Sequence, residues 1–75
     1  MASVFETDTN NWINSQISET ILQAYPIQLN EFQKNGVAIV FVKNPATNLI
    51  SKKYYMISYQ NETYNWYEIE NYTNP

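Results

Sequence analysis

Val37-Ala38-Ile39-Val40-Phe41-Val42 is the longest apolar run in the chain, and most of its residues are β-branched. Side chains alternate between the two faces of a strand, so a strand with one face in water shows apolar and polar residues in turn. This run shows no such alternation. We therefore predict a central strand that is covered on both faces.

Two further strands are predicted after the central run. The segment Asn44-Pro45-Ala46-Thr47-Asn48 predicts a turn, because proline fixes φ and asparagine tolerates positive φ. Residues 49–59 and 63–71 are rich in tyrosine, isoleucine and tryptophan, which favour strands. We predict that residues 60–62 join these two strands.

The last two strands have a register that side-chain chemistry selects. Tyr59 opposite Tyr64 also places Ile57 opposite Trp66, Met56 opposite Tyr67, Tyr54 opposite Ile69 and Lys53 opposite Glu70. The two side chains of each such cross-strand pair interact favourably. A shift by one residue would set Ile57 opposite Asn65 and lose most of these matches, so we predict the first register.

The segment between Pro26 and Asn35-Gly36 is open to two predictions. Asn35-Gly36 can form the centre of a type I′ hairpin turn or end a short second helix. A two-residue turn would pair Phe32 with Ile39 and Leu29 with Val42, which sets apolar residues against each other. This pairing favours a strand over residues 27–34, with the short helix as the alternative.

An amphipathic helix is predicted over residues 11–24. Ile13, Ile17 and Ile21 recur every four residues and would lie along one helix face, which we expect to be buried. Pro26 disfavours helical geometry in the residue before it and should end the helix.

These elements predict an α+β domain, with one N-terminal amphipathic helix packed on a three- or four-stranded antiparallel meander sheet. At 75 residues and 8.9 kDa, the chain has room for a single domain over residues 1–75. Residues 1–9 would form an N-terminal arm, and residues 72–75 a C-terminal tail.

The composition excludes most common catalytic and metal sites. The chain has no cysteine, histidine or arginine. Thiolate or imidazole metal ligands, histidine-based proton transfer and Ser-His triads are therefore ruled out. Gly36 is the one glycine, so a glycine-rich phosphate loop is ruled out as well. We predict a protein that is not an enzyme and has no metal and no cofactor.

The charge and the hydropathy pattern limit which partners and which cellular location are expected. The net charge is −3 and the pI about 4.5, which disfavours a nucleic-acid partner because phosphate would be repelled. The longest apolar run is far shorter than the roughly 20 residues of a membrane-spanning helix. The first residues carry neither a basic region nor an apolar region typical of a signal peptide. We predict a cytoplasmic protein with no membrane association.

The predicted sheet has more apolar surface than one helix can cover. One face would carry Phe32, Ile39, Phe41, Ile57, Tyr59, Tyr64 and Trp66. The other would carry Leu29, Val40, Val42, Tyr54, Met56, Tyr67 and Ile69. Because Phe41, Ile57 and Trp66 suit a packed interior, we expect the second face to bind another molecule. Its predicted contact residues are Tyr54, Met56, Tyr67 and Ile69, with Lys52 at a polar rim.

The surplus face supports two hypotheses about function. In the first, the protein is a small non-catalytic intracellular protein-binding module, of the inhibitor or adaptor type, that uses this tyrosine-rich face. In the second, it is a structural subunit of a homo-oligomer or larger assembly that buries the same face. The partner is thus another protein or a second copy of the chain. Alternatively, residues 1–5, the segment after Pro26 and the tail fold back over this face, with Val4 and Phe5 filling it, or the face forms a groove for a small ligand.

Overall fold

One helix and four strands make up the fold in the computed structural model, which describes residues 3–73. The helix α1 spans Val4–Ser15, and the strands are β1 (Ile21–Asn30), β2 (Asn35–Lys43), β3 (Ile50–Gln60) and β4 (Thr63–Ile69). The strands form one antiparallel sheet in the order β1-β2-β3-β4. The predicted α+β class and antiparallel meander are confirmed, and the sheet has four strands.

The position predicted for the helix is wrong, because α1 begins at Val4 and not near residue 11. Ser3 caps its N-terminus, and the Ser3 hydroxyl accepts a hydrogen bond from the backbone N–H of Glu6 at 3.1 Å. This bond satisfies one of the free N–H groups of the first turn, and the Glu6 carboxylate suits the positive end of the helix dipole. The helix therefore includes residues 4–9, which the sequence assigned to an arm.

The helix also ends earlier than predicted, at Ser15, and residues 21–24 belong to β1. Ile17 is 44% exposed in the connection that follows. Ser18 fixes this connection, since its hydroxyl accepts from the backbone N–H of Ile21 at 3.1 Å. The strand forms because the backbone of β2 would otherwise lack a partner on this side, and Ile21 pairs with Val42 across the ladder.

Pro26 lies inside β1 and does not end a helix. It pairs with Ala38, and the register shifts between Pro26 and Gln28. Because β1 is an edge strand, a residue without an N–H group is tolerated there, particularly at a bulge.

The hairpin between β1 and β2 forms, which excludes the alternative of a short helix over residues 27–34, but its turn is not at Asn35-Gly36. The turn comprises residues 31–34, where Lys34 has a φ of 56° and the Asn30 side chain accepts from two backbone N–H groups. The predicted pairs are wrong as well. Ile39 pairs with Tyr25, and Phe32 is 91% exposed in the turn.

Gly36 does not lie in a turn. It lies where strands β1 and β2 pass close to each other. It lies in β2 opposite Leu29, and its φ is not positive. A Cβ atom at this position would lie 2.4 Å from the carbonyl oxygen of Gln28 and 2.6 Å from Cδ2 of Leu29. Only glycine allows β1 to pass so near.

A two-residue turn with positive φ does occur, but at Asn61-Glu62, between β3 and β4. The φ angles are 52° and 61°, the signature of a type I′ turn. The predicted register is confirmed for Tyr59–Tyr64, Ile57–Trp66, Met56–Tyr67 and Tyr54–Ile69. The ladder ends at the last of these pairs.

The match predicted between Lys53 and Glu70 is absent from the β3–β4 ladder. Lys53 does not pair with Glu70; its Nζ lies 3.4 Å from Oε1 of Glu68. The turn before β3 is as predicted, and Asn48 adopts a φ of 60° there.

The hydrophobic core lies between α1 and one face of the sheet, which we call the helix-covered face. Ile13, which is 1% exposed, packs on the cluster of Ala24, Ala38, Val40 and Ile57. Burial of an isoleucine side chain stabilises a fold by about 1.5–3 kcal/mol.

Aromatic rings extend this core toward β4. Trp12 stacks on Tyr64 at 5.1 Å between ring centroids and meets Trp66 edge to face at 5.0 Å. Thr9 is fully buried beside them, and its hydroxyl lies 3.0 Å from the hydroxyl of Tyr64.

Candidate protein-binding site

The sheet surface opposite α1 carries the candidate site, and we call it the open face. Residues paired across antiparallel strands lie on the same face, and alternate residues along a strand share a face. The pairs Tyr25–Ile39, Ile39–Tyr54, Tyr54–Ile69, Val37–Met56, Met56–Tyr67, Phe41–Lys52 and Lys43–Ile50 therefore lie on this face. The helix-covered face takes the alternate positions, which include Ala38, Val40 and Ile57.

All five residues predicted from sequence for the site lie on the open face. Met56 pairs with Tyr67 and Tyr54 with Ile69, so these four side chains form one patch across β3 and β4. Lys52 stands two residues before Tyr54, with its Nζ 5.8 Å from the centre of the Tyr54 ring.

The contribution of β2 to the open face differs from the prediction. Ile39 and Phe41 are predicted on the interior face with Ile57 and Trp66, but both lie on the open face. Val40 and Val42, expected beside the patch, pack toward α1.

Other residues also lie elsewhere than the sequence suggested. Leu29, paired with Gly36, is on the helix-covered side, and Phe32 is in the turn. Sequence reasoning thus missed Tyr25, Val37, Ile39 and Phe41 as members of the open face. The ring centroids of Tyr25 and Phe41 are 6.4 Å apart there.

The open face combines a shielded centre with exposed flanks. Ile39 in the middle is 8% exposed, because the neighbouring strands surround it. Around it, the exposed fractions of the residues are 45% for Tyr25, 43% for Met56 and 56% for Tyr67. Partly exposed aromatic residues and methionine are enriched in protein interfaces.

The described N-terminal segment does not cover the open face. Residues 4–15 form α1 on the opposite side, where Phe5 is buried and Lys34 places its Nζ 5.1 Å from the centre of the Phe5 ring. Val4 is exposed to solvent. Tyr72 of the tail covers only a corner, with its ring centroid 4.8 Å from that of Tyr54. Met1, Ala2, Asn74 and Pro75 lie outside the described residues.

The charged residues of the open face have one sign. Lys43 and Lys52 occupy strand positions on this face, and no carboxylate does, within residues 3–73. Glu68 lies on the helix-covered side, where it forms the ion pair with Lys53. Glu70 follows β4 and lines a groove of about 370 Å³ at this end of the sheet. The groove is lined from both faces, by Lys52, Tyr54 and Tyr72 and by Lys53 and Glu68.

The described residues contain no metal-binding cluster and no unpaired buried polar side chain. Within residues 3–73, no group of three or more histidine, cysteine, aspartate or glutamate side chains could hold a metal ion. Over the same range, every buried side-chain nitrogen or oxygen has a hydrogen-bond partner. In the part of the chain that the structure describes, no helix has the length and apolar character needed to cross a membrane.

The fold and the open face define a small α+β domain whose sheet is covered on one side and half-exposed on the other. No protein-family model, curated protein or solved structure matches this chain.

Proposed function

We propose that this protein is a non-catalytic protein-binding module, of the inhibitor or adaptor type, that docks its open face on a larger protein. The observation that carries the proposal is the half-exposure of Tyr25, Met56 and Tyr67 on a regular sheet face that α1 leaves uncovered. An aromatic and aliphatic surface of this kind lowers its free energy when a partner excludes water from it.

The open face has physical features that favour binding over simple exposure. Its side chains project from a hydrogen-bonded sheet, so little backbone entropy is lost when a partner docks. Tyrosine adds large contact area with few rotatable bonds, and its hydroxyl can bond to a partner or to water. Ile39 at the centre is shielded by its neighbours, so a partner would contact the half-exposed side chains around it.

We also propose that the protein binds its partner in the reducing environment of the cytoplasm. Small secreted domains commonly depend on disulfides for stability, whereas this 75-residue chain has no cysteine and relies on its packed core. The lack of histidine, cysteine and arginine supports a binding role instead of a catalytic one.

The test is affinity capture from the native host with matched variants. Tyr67→Ala and Met56→Ser remove exposed open-face side chains, and Phe32→Ala is the control, because Phe32 is the most exposed aromatic residue but lies in the turn between β1 and β2. We expect wild type and Phe32→Ala to capture the same partner. Tyr67→Ala should weaken its binding by about 2 kcal/mol or more if Tyr67 is a hot spot.

Chemical denaturation of each variant must accompany the capture, so that loss of binding is separated from loss of folding. Equal capture by all variants, or equal loss with Phe32→Ala, would contradict the proposal.

A second copy of the chain is the alternative occupant of the open face, as in a homo-oligomer. Sedimentation equilibrium at micromolar concentration distinguishes the two. A monomer whose open face binds another protein supports the adaptor or inhibitor role. A stable oligomer that Tyr67→Ala dissociates supports the structural role.

A further inference from the structure

We propose that the partner presents aspartate or glutamate carboxylates beside aromatic or aliphatic side chains. This inference rests on the proposed function and specifies the chemistry of the partner. The observation behind it is the unequal distribution of charge between the open face and the rest of the molecule.

The two lysines of the open face lie at the same end of the sheet. Lys43 pairs with Ile50, and Lys52 pairs with Phe41, so the two lysines occupy neighbouring positions at one end of the apolar patch. The one ion pair within residues 3–73 joins Lys53 to Glu68 on the other side of the sheet. Lys43 and Lys52 therefore form no ion pair with another described residue and are free to meet carboxylates of a partner.

The rest of the molecule has the opposite sign. All seven carboxylates of the chain occupy positions outside the open-face strand positions, together with only two lysines, Lys34 and Lys53. An acidic partner would be repelled by most of the surface and attracted to the end of the open face that holds Lys43 and Lys52. Such a distribution orients a partner during association and contributes more to orientation and rate than to affinity.

Two other occupants fit this distribution less well. A second copy would bring an open face whose strand positions hold lysines and no carboxylate, so only Glu70, in the groove beside Lys52, could approach these charges. Single-stranded nucleic acid could stack bases on the tyrosines, but it needs a basic groove along its backbone. This chain offers two lysines on the open face, no arginine and a net charge of −3.

The test is a selection of short random peptides on the immobilised full chain. Backbone amide shifts of the isotope-labelled protein then locate each selected peptide. We expect peptides that bind the open face to be enriched in aspartate and glutamate next to aromatic or aliphatic residues. Replacing their aspartate and glutamate residues by asparagine and glutamine should weaken binding.

The lysines are tested with a matched pair of variants. Lys52→Gln and Lys43→Gln should each lower the affinity for the selected peptides by about 1.5- to 5-fold at low salt, which is the range for exposed ion pairs. The loss should shrink at high salt and vanish for the amide-substituted peptide. Lys34→Gln is the control, because Lys34 lies in the turn between β1 and β2 with its Nζ near the Phe5 ring, away from Lys43 and Lys52, and it should leave binding unchanged.

The outcomes separate this inference from the proposed function. The inference is overturned if the peptides that shift open-face resonances are not enriched in aspartate and glutamate, or are enriched in lysine and arginine. The binding role would still stand. Binding of oligothymidylate to the open face at physiological salt would also overturn the inference. If no peptide binds the open face, both the inference and the binding role are contradicted.

Discussion

Replacing Ile13 by alanine should destabilise the protein far more than replacing Ile17 by alanine. Both are isoleucines from the same predicted helical stripe, but Ile13 is 1% exposed against the core cluster and Ile17 is 44% exposed after the end of α1. Fully buried isoleucine-to-alanine changes cost about 2–5 kcal/mol, since they combine lost transfer free energy with a cavity. For Ile13 we expect about 3 kcal/mol, and for Ile17 less than about 1 kcal/mol.

The assay is urea denaturation followed by tryptophan fluorescence, because Trp12 and Trp66 are in contact across the core. A domain of this size has a total stability of roughly 4–11 kcal/mol, so loss of about 3 kcal/mol would shift the midpoint strongly. In a thermal scan the same loss lowers Tm by about 12–24 °C. Equal losses at the two positions, or a greater loss at Ile17, would refute the placement of α1.

Three further substitutions test local features, each by the free energy of unfolding. Glu62→Gly should stabilise the protein by about 0.5–1 kcal/mol, because Glu62 has a φ of 61° that glycine adopts without strain; no gain would contradict the type I′ turn at this position. Gly36→Ala should destabilise it by about 2 kcal/mol or more, because the new Cβ would meet the backbone of β1, and a neutral result would mean that β1 lies farther away. Thr9→Val should cost about 1 kcal/mol by removing the hydroxyl contact with Tyr64, and combining it with Tyr64→Phe should cost little more; fully additive losses would show that the two hydroxyls do not interact.

The strands of the C-terminal half were predictable because their signals are local. The run from Val37 to Val42 has no alternation and becomes the interior strand β2. The register of β3 and β4 follows from side-chain pairs joined by a two-residue turn, which leaves little freedom for slippage. The same register brought Tyr54, Met56, Tyr67 and Ile69 together, as predicted.

The helix was misplaced because two periodic signals competed. Ile13, Ile17 and Ile21 have helical spacing, but Ile21 instead pairs with Val42, since β2 needs a backbone partner on its free side. The signal that marks the true start is present in the sequence. Ser3 and Glu6 have the spacing of a capping box, and the Ser3 hydroxyl does accept from the Glu6 N–H.

The face of β2 could not be assigned from sequence, because it depends on distant geometry. Residues 44–49 join β2 to β3, and a connection of this length does not determine which side chains of β2 face α1. Gly36 was assigned to a turn because Asn-Gly is the strongest local hairpin signal. Its actual role, space for the backbone of β1, becomes visible only when β1 is in place.

Photo-cross-linking from β4 tests most directly whether the open face binds a partner. A benzophenone amino acid replaces Asn65, an exposed open-face residue that pairs with Ser58 and leaves Tyr67 intact. The control carries the same group in place of Glu68, an exposed residue of the same strand on the opposite side of the sheet. After irradiation in the native host, we expect a discrete adduct with another protein from position 65 and none from position 68. Equal adducts from both positions, or no adduct from position 65, would contradict binding through the open face.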